Sequence, residues 1–386
     1  MYRPVRLLGL ALFGRTGEQQ GNLKNLKALE VCARNKKFLI SFCDALKGPG
    51  SRSVTPPSSV HRLRPGDVDI IGALGDSLTA GNGIYASNAN QLTVENRGVS
   101  FAIGGHGNWK QYLTLPNILK EFNPRLYGYA LTDGLASDRT SRFNVAEPAA
   151  MSRDMPYMAR VLVKRLQRDP HVNMERDWKM VTLLIGNNDF CLDLCLNDRP
   201  AETVARHELN MLQTYRYLRD NVPRLILNVI QPPDLTFLMR MKRLPRICSR
   251  ILLPFECPCL YGLAAKRRLP KLSPIIKQWQ AKDKEIVNRA EFNTETFTIN
   301  YHNFTTFDEF IELANGRTDL RFLSYDCFHL SQRGHAMVSN ALWNNLFEPP
   351  YNKSSMDPQL MRVFRCPTTQ QPYILTRINS AANFKL

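Results

Sequence analysis

Asp69-Ile70-Ile71-Gly72-Ala73-Leu74-Gly75-Asp76-Ser77-Leu78-Thr79-Ala80-Gly81 is the stretch that decides the fold. A short apolar run turns abruptly at Gly75 into small and polar residues. A run of this length bounded by turn residues predicts a buried parallel strand. Ser77 then lies just past its carboxyl end, where open α/β sheets place their ligand sites. Asp and Ser also start helices as caps, so the stretch alone leaves a structural role open.

Met180-Val181-Thr182-Leu183-Leu184-Ile185-Gly186-Asn187-Asn188-Asp189 repeats the design: an apolar strand, a glycine, then short polar residues. Between the two, Arg97 to Gly107 predicts a strand running into a glycine-rich loop, in which backbone N–H groups can approach a ligand closely. Helical periodicity is expected over 152–168, 201–221, 275–291 and from Gln332 to Leu346, with strands at Arg224–Ile230 and Thr294–Ile299. Tyr325-Asp326-Cys327-Phe328-His329 precedes the last of these helices. The alternation predicts an α/β protein, a parallel sheet covered on both faces.

The chain has 386 residues with 44% hydrophobic and 22% charged content, enough to bury a core without metal or disulfides. Its net charge of +17 is concentrated. Residues 1–66 carry twelve Lys/Arg against three Asp/Glu, and residues 240–277 carry ten against Glu256 alone. Such patches suggest an anionic partner, and the 240–277 segment is expected to make peripheral contact with an anionic membrane surface. Its prolines argue against one long helix, so it reads as a looped insertion. No nucleic-acid motif accompanies the charge, so no nucleic-acid partner is expected. The nine cysteines include Cys191/Cys195 and Cys257/Cys259, whose spacings are poor for zinc and better suited to disulfides of a secreted protein. Asn303-Phe304-Thr305 and Asn352-Lys353-Ser354 are glycosylation sequons that agree with that compartment.

Residues 1–66 read as a basic N-terminal region with a Ser/Pro/Gly linker over 48–65. Residues 67–350 form the main domain and 351–386 a C-terminal extension. Within 1–66, 23–46 could form amphipathic helices, and Leu7 to Phe13, after Arg3 and Arg6, resembles a stunted signal peptide without a cleavage site.

Four polar blocks therefore follow strands or precede a helix, and a wound sheet brings such segments to one edge. They supply what serine hydrolysis needs: a hydroxyl, an imidazole to take its proton, a carboxylate to orient the imidazole, and donors for an oxyanion. Taken singly, Asp326 could cap a turn, His329 could be a buried polar residue and Asn188 a helix cap.

Gly75-Asp76-Ser77, the glycine loop, Gly186-Asn187-Asn188-Asp189 and Asp326-Cys327-Phe328-His329 together resemble the blocks of the SGNH hydrolases, the GDSL lipase/esterase family, in that family's order. Ala73 to Gly83, Gly-Asn-Asn-Asp-Phe-Cys and Asp-Cys-Phe-His-Leu-Ser-Gln-Arg-Gly-His look like its phospholipase B1-like branch. The resemblance implies a three-layer α/β/α sandwich of flavodoxin type. It implies Ser77 as nucleophile, His329 as base and Asp326 as its orienting acid. The oxyanion donors would be the Ser77 N–H, the Gly105 N–H (with Gly104 the alternative) and the Asn188 side chain. Members of the branch cleave acyl esters of phospholipids and lysophospholipids without metal or cofactor. The family pattern has an acidic residue where this chain has His106. Cys327, between acid and base, is expected as a disulfide or buried thiol, and His335 as packing on the final helix. The rival functions are a carboxylesterase of non-phospholipid esters and a catalytically idle lipid-surface protein.

Overall fold

Four parallel strands, β1 (Val68–Gly75), β2 (Trp178–Leu184), β3 (Leu225–Ile230) and β4 (Phe297–His302), lie side by side in that order in a computed structural model. The structure describes residues 4–14, 43–196, 199–261, 265–306 and 311–381. The pairing is in register: Gly75 faces Leu184, Leu184 faces Ile230, and Ile230 faces His302. On its other side β1 meets an irregular fifth segment. Ile71 N–H donates to the Tyr127 carbonyl (2.9 Å) and Tyr127 N–H to that of Asp69 (2.9 Å). In chain order this segment comes second, so the spatial order is the flavodoxin-like 2-1-3-4-5. The chain leaves β1 toward one side and next returns on the other, so the switch point lies at the carboxyl end of β1, beside Ser77.

Alternation along the strands makes the three layers. Ile71 and Ala73 of β1, Met180 and Leu184 of β2, and Ile226 and Ile230 of β3 face one buried cluster. Helices α1 (Leu115–Phe122) and α5 (Gln332–Asn345) complete it. Ile70, Leu74, Val181, Leu183, Leu225, Leu227 and Val229 face the other cluster. It is closed by α2 (Met155–Arg168), α3 (Pro200–Asn221) and α4 (Ala265–Val287). Period-two burial on both faces is the signature of a sheet covered on both sides, and the expected α/β/α sandwich is what the chain forms.

Three local readings differ from expectation. Arg97 to Gly107 is not a strand. It opens with a 3-10 turn, Arg97–Val99, and coils further because the Ser100 carbonyl accepts both the Ile103 and Gly104 N–H groups. The fully buried Arg97 side chain pins this coil by pairing with Glu95 and donating to the carbonyls of Gly134 (2.8 Å) and Ala146 (2.7 Å). Second, Pro270 and Pro274 do not break a helix but lie inside α4. Spaced four apart, both are on its exposed face, where carbonyls that lose a partner reach water. Third, residues 48–65 pack instead of spanning open solvent. Val60 and Leu63 are fully buried in the α1/α5 cluster, and Leu63 accepts from the Ile374 N–H. Cys43 is bonded to Cys366, so the segments before β1 and after α5 clasp one another against the α1/α5 cluster. Of the helices expected over 23–46, residues 23–42 lie outside the described residues, and 43–46 are not helical. The segment 4–14 is helical, and its Arg6 pairs with Glu95 and with Glu147 (2.9 Å).

Candidate active site

Both glycine-ended strands deliver their polar residues by the same device. Gly75 has φ +148° and Gly186 φ +124°, backbone conformations that L-residues rarely adopt. A Cβ on Gly75 would stand 2.5 Å from the Leu184 carbonyl oxygen, and one on Gly186 3.0 Å from the Pro232 ring. The two glycines thus let adjacent parallel strands turn at the same level. Past Gly75, Asp76 caps a single turn of helix, Ser77–Ala80, by accepting from the Leu78 N–H (3.0 Å). Its other carboxylate oxygen accepts from the Asn187 amide (3.0 Å), which ties the two strand ends together. Complete burial pushes the Asp76 carboxyl up to about 6, against the pull of these hydrogen bonds.

Ser77 is the first helical residue, so its backbone N–H has no intrahelical partner. Its Oγ is 2.8 Å from His329 Nε2, and His329 Nδ1 is 2.5 Å from Asp326 Oδ2. The other Asp326 oxygen accepts from the Phe328 and His329 N–H groups, both at 2.9 Å. Burial opposes ionisation of Asp326, but the imidazole and these N–H groups hold its carboxyl below the ordinary range. For His329, burial alone would lower the imidazole. The carboxylates of Asp326, Glu256 and Asp76 override it and hold the ring above its ordinary value. Asp326 therefore fixes Nδ1–H as the donor and leaves Nε2 to take a proton from Ser77.

The predicted oxyanion set is brought together only in part. Asn188 and Ser77 line the same cavity. One Asn188 N–H donates to the Ala150 carbonyl (2.9 Å), and an amide nitrogen carries a second donor. Asp189 holds the same neighbouring segment by accepting from the Ser152 N–H (3.0 Å) and hydroxyl (2.9 Å). The glycine loop stands otherwise. Gly105 N–H donates to the Ala130 carbonyl and Gly104 N–H to that of Ser100, both at 2.8 Å, and neither glycine lines the cavity. His106 is turned to the Leu131 carbonyl (2.9 Å).

The cavity, about 280 Å³, runs from Ser77 across the carboxyl ends of β2 and β3 to Met337 and Val338 of α5. Its walls include Phe101, Leu184, Ile230, Phe237, Phe328 and Met337, and among the described residues no charged side chain lines it. Such a space accepts a hydrocarbon chain with the reactive carbonyl at its polar end.

Residues 240–277, read as an insertion apart from the core, are bound to the loops that carry the site. Cys191, just after the Asn188 block, is bonded to Cys257, and Cys195 to Cys259. Cys248 is bonded to Cys327, the residue between Asp326 and Phe328. Cys327, with φ +61°, is therefore a disulfide partner, and the ninth cysteine, Cys32, lies outside the described residues. The same segment brings in Glu256, which sequence reasoning did not single out: its carboxylate lies with ligand atoms of Asp326 and His329 within 4.8 Å of one another. Three such groups could in principle hold a cation. However, both His329 nitrogens are committed, one to Asp326 and one to Ser77, so a metal would have to break that chain. No signal in the sequence marks Glu256, since only the staples bring it to His329. His335 packs on α5, where its Nδ1 accepts from the Phe101 N–H (3.1 Å). Burial lowers this imidazole to about 3 and keeps it neutral.

Residues 71–342 match the family described as GDSL-like lipase/acylhydrolase. The chain is 35% identical to "Phospholipase B1, membrane-associated" of Homo sapiens over 365 residues, covering 90% of this chain and 24% of that protein. The Mus musculus protein of the same name is 35% identical over 345 residues, 86% of this chain and 23% of the relative. For the Rattus norvegicus protein the figures are 33% over 383 residues, 92% and 26%. The chain thus spans about a quarter of the length of the curated relatives it matches.

Proposed function

The chain belongs to the GDSL-like lipase/acylhydrolase family, and we propose that it is a serine esterase cleaving acyl esters of glycerophospholipids and lysophospholipids. The observation that carries this reading is the continuous hydrogen-bonded chain Asp326–His329–Ser77 ending at an apolar cavity.

In the proposed reaction the Ser77 Oγ attacks the ester carbonyl while His329 Nε2 takes its proton. The tetrahedral oxyanion is met by the Ser77 N–H and the free N–H of the Asn188 amide. The imidazolium, stabilised by Asp326, passes its proton to the departing glycerol oxygen. A water then repeats the sequence on the acyl-enzyme and releases the fatty acid. Gly105 takes part only if its N–H leaves Ala130, so two donors carry the first-order account.

The apolar lining supports a long acyl chain over a small soluble ester, and the relatives' names point the same way. Four disulfides support folding in an oxidising compartment and hence a secretory-pathway or membrane-associated protein. Asn352 is exposed, as a glycan acceptor must be, and Asn303 is half-buried. Among the described residues no helix is long and apolar enough to cross a membrane.

The test compares phospholipid and lysophospholipid with triglyceride and a soluble short-chain ester. Phospholipid turnover that disappears in Ser77→Ala is expected. Preference for the soluble ester would favour the carboxylesterase reading, and no turnover of any ester the idle lipid-surface protein.

A further inference from the structure

Residues 246–256 form one helical run that widens to a π-turn over Cys248–Leu252. Its inner face is fixed: Cys248 and Leu253 are buried against Cys327, with Met241, Leu244 and Phe328 packed around them. Its outer face is apolar where it should be polar. Ile247 (42%), Ile251 (62%) and Phe255 (70%) are exposed at four-residue spacing, a continuous ridge on one side of the run. Isolated exposed apolar residues need no explanation, but an aligned ridge does.

The charge around the ridge has one sign. Arg240, Arg246 and Arg250 are exposed, and none forms an ion pair among the described residues. Lys242 and Arg243 are already engaged, with Glu312 (2.6 Å) and the Asn315 carbonyl (2.9 Å). The segment's one acid, Glu256, is turned inward beside His329. An apolar ridge in a cationic surround matches an anionic lipid surface, whose head groups draw the arginines while the side chains enter the acyl boundary.

We propose that Ile247, Ile251 and Phe255, flanked by Arg240, Arg246 and Arg250, dock the protein on an anionic lipid surface and hold the cavity mouth against it. The ridge is coupled to the site by covalent bonds and by one helix-width of packing. Phe255 precedes Glu256, whose carboxylate lies within 4.8 Å of the Asp326/His329 pair, and Cys248 is bonded within the loop carrying that pair. Phe328, packed under the run, also lines the cavity. Docking would therefore orient the site. This rests on the esterase reading only for what is oriented; the docking itself is independent of turnover.

The experiment is co-sedimentation of the full chain, carrying Ser77→Ala so that lipid is not consumed, with phosphatidylcholine vesicles with and without phosphatidylglycerol. Binding is expected only with phosphatidylglycerol, and more strongly at low salt. Arg240→Gln/Arg246→Gln/Arg250→Gln should weaken it on the order of 100-fold. Ile251→Ser/Phe255→Ser should weaken it at every salt concentration. Both variants, with Ser77 restored, should hydrolyse a soluble short-chain ester like the parent, which reports an intact fold. Unchanged vesicle binding in either variant would overturn the proposal. So would a dimer that Ile251→Ser/Phe255→Ser dissolves without changing vesicle binding, because the ridge would then face a second copy. Absence of ester turnover in the parent protein, with vesicle binding that responds to both variants as expected, would count against the esterase reading alone.

Discussion

The two loops that flank Ser77 are built differently. The Asp326–His329 loop is fully engaged with the serine: both imidazole nitrogens and both Asp326 oxygens have partners, and Cys327 is bonded to a distant segment. The glycine loop, from Gly104 to Gly107, spends its first N–H groups on the carbonyls of Ser100 and of the distant Ala130. One side of the serine is joined to a continuous Asp326–His329 hydrogen-bonded chain, while on the proposed oxyanion side Asn188 shares the cavity with Ser77 and the Gly105 N–H is turned to Ala130. Preorganisation lies where the bonds converge on Ser77, and it is incomplete where a loop's donors are bonded to other carbonyls.

The most severe way to break the assembled side is to remove its members. Ser77→Ala and His329→Ala should each lower kcat by roughly 10⁴-fold or more, measured on a phospholipid substrate. Ser77→Ala should also abolish labelling by an organophosphonate while the melting temperature stays near the parent's.

The other side should fail more gently. Asn188→Ala is expected to cost about 2–4 kcal/mol of transition-state stabilisation, read in kcat more than in KM. Asn187→Ala should cost less, since its amide reaches Asp76 and not an expected oxyanion position. Gly105→Ala sharpens the contrast. Its Cβ would meet the Tyr129 ring, so a fall in melting temperature at preserved kcat is expected while the N–H stays on Ala130. A kcat loss equal to that of Asn188→Ala would show that the loop turns during catalysis.

Removing the staple, with Cys248→Ser and Cys327→Ser together, should destabilise the protein by about 2–4 kcal/mol by thermal or urea unfolding. Activity toward a soluble ester should fall with it, since the freed loop carries both Asp326 and His329.

The smallest effect concerns pH. His329 must be neutral to accept a proton, so activity is lost as pH falls through its pKa. Burial lowers that pKa, but Asp326, Glu256 and Asp76 raise it above the ordinary imidazole value, and the acid limb should lie correspondingly high. Glu256→Gln removes one of the three negative charges. The acid limb of kcat/KM should then move to lower pH with little change in its plateau.

Much of this was legible in the chain itself. Apolar runs ending in glycine marked β1 and β2, because such runs have few ways to bury both faces and Gly75 and Gly186 supply backbone that other residues resist. The identities and order of the polar blocks carried the Ser77, Asp326 and His329 assignments, since their chemistry is local to each side chain. Asp326 and His329 are only three residues apart, so their meeting was nearly assured by one turn. Other features had no local signature. The course of Arg97 to Gly107 was set by a buried arginine bonding to carbonyls up to 49 residues away. The prolines of α4 were tolerated because they fell on its exposed face, and the segment before β1 found its core against residues beyond α5. The cysteine spacings announced disulfides but not their partners. That pairing, which ties Cys248, Cys257 and Cys259 to the loops of the site and brings Glu256 to His329, depends on which distant segments the finished sheet carries to the same edge. Local periodicity and side-chain chemistry act over a few residues and are written in sequence. Long-range proximity is a property of the closed chain, and only the tertiary structure decided it.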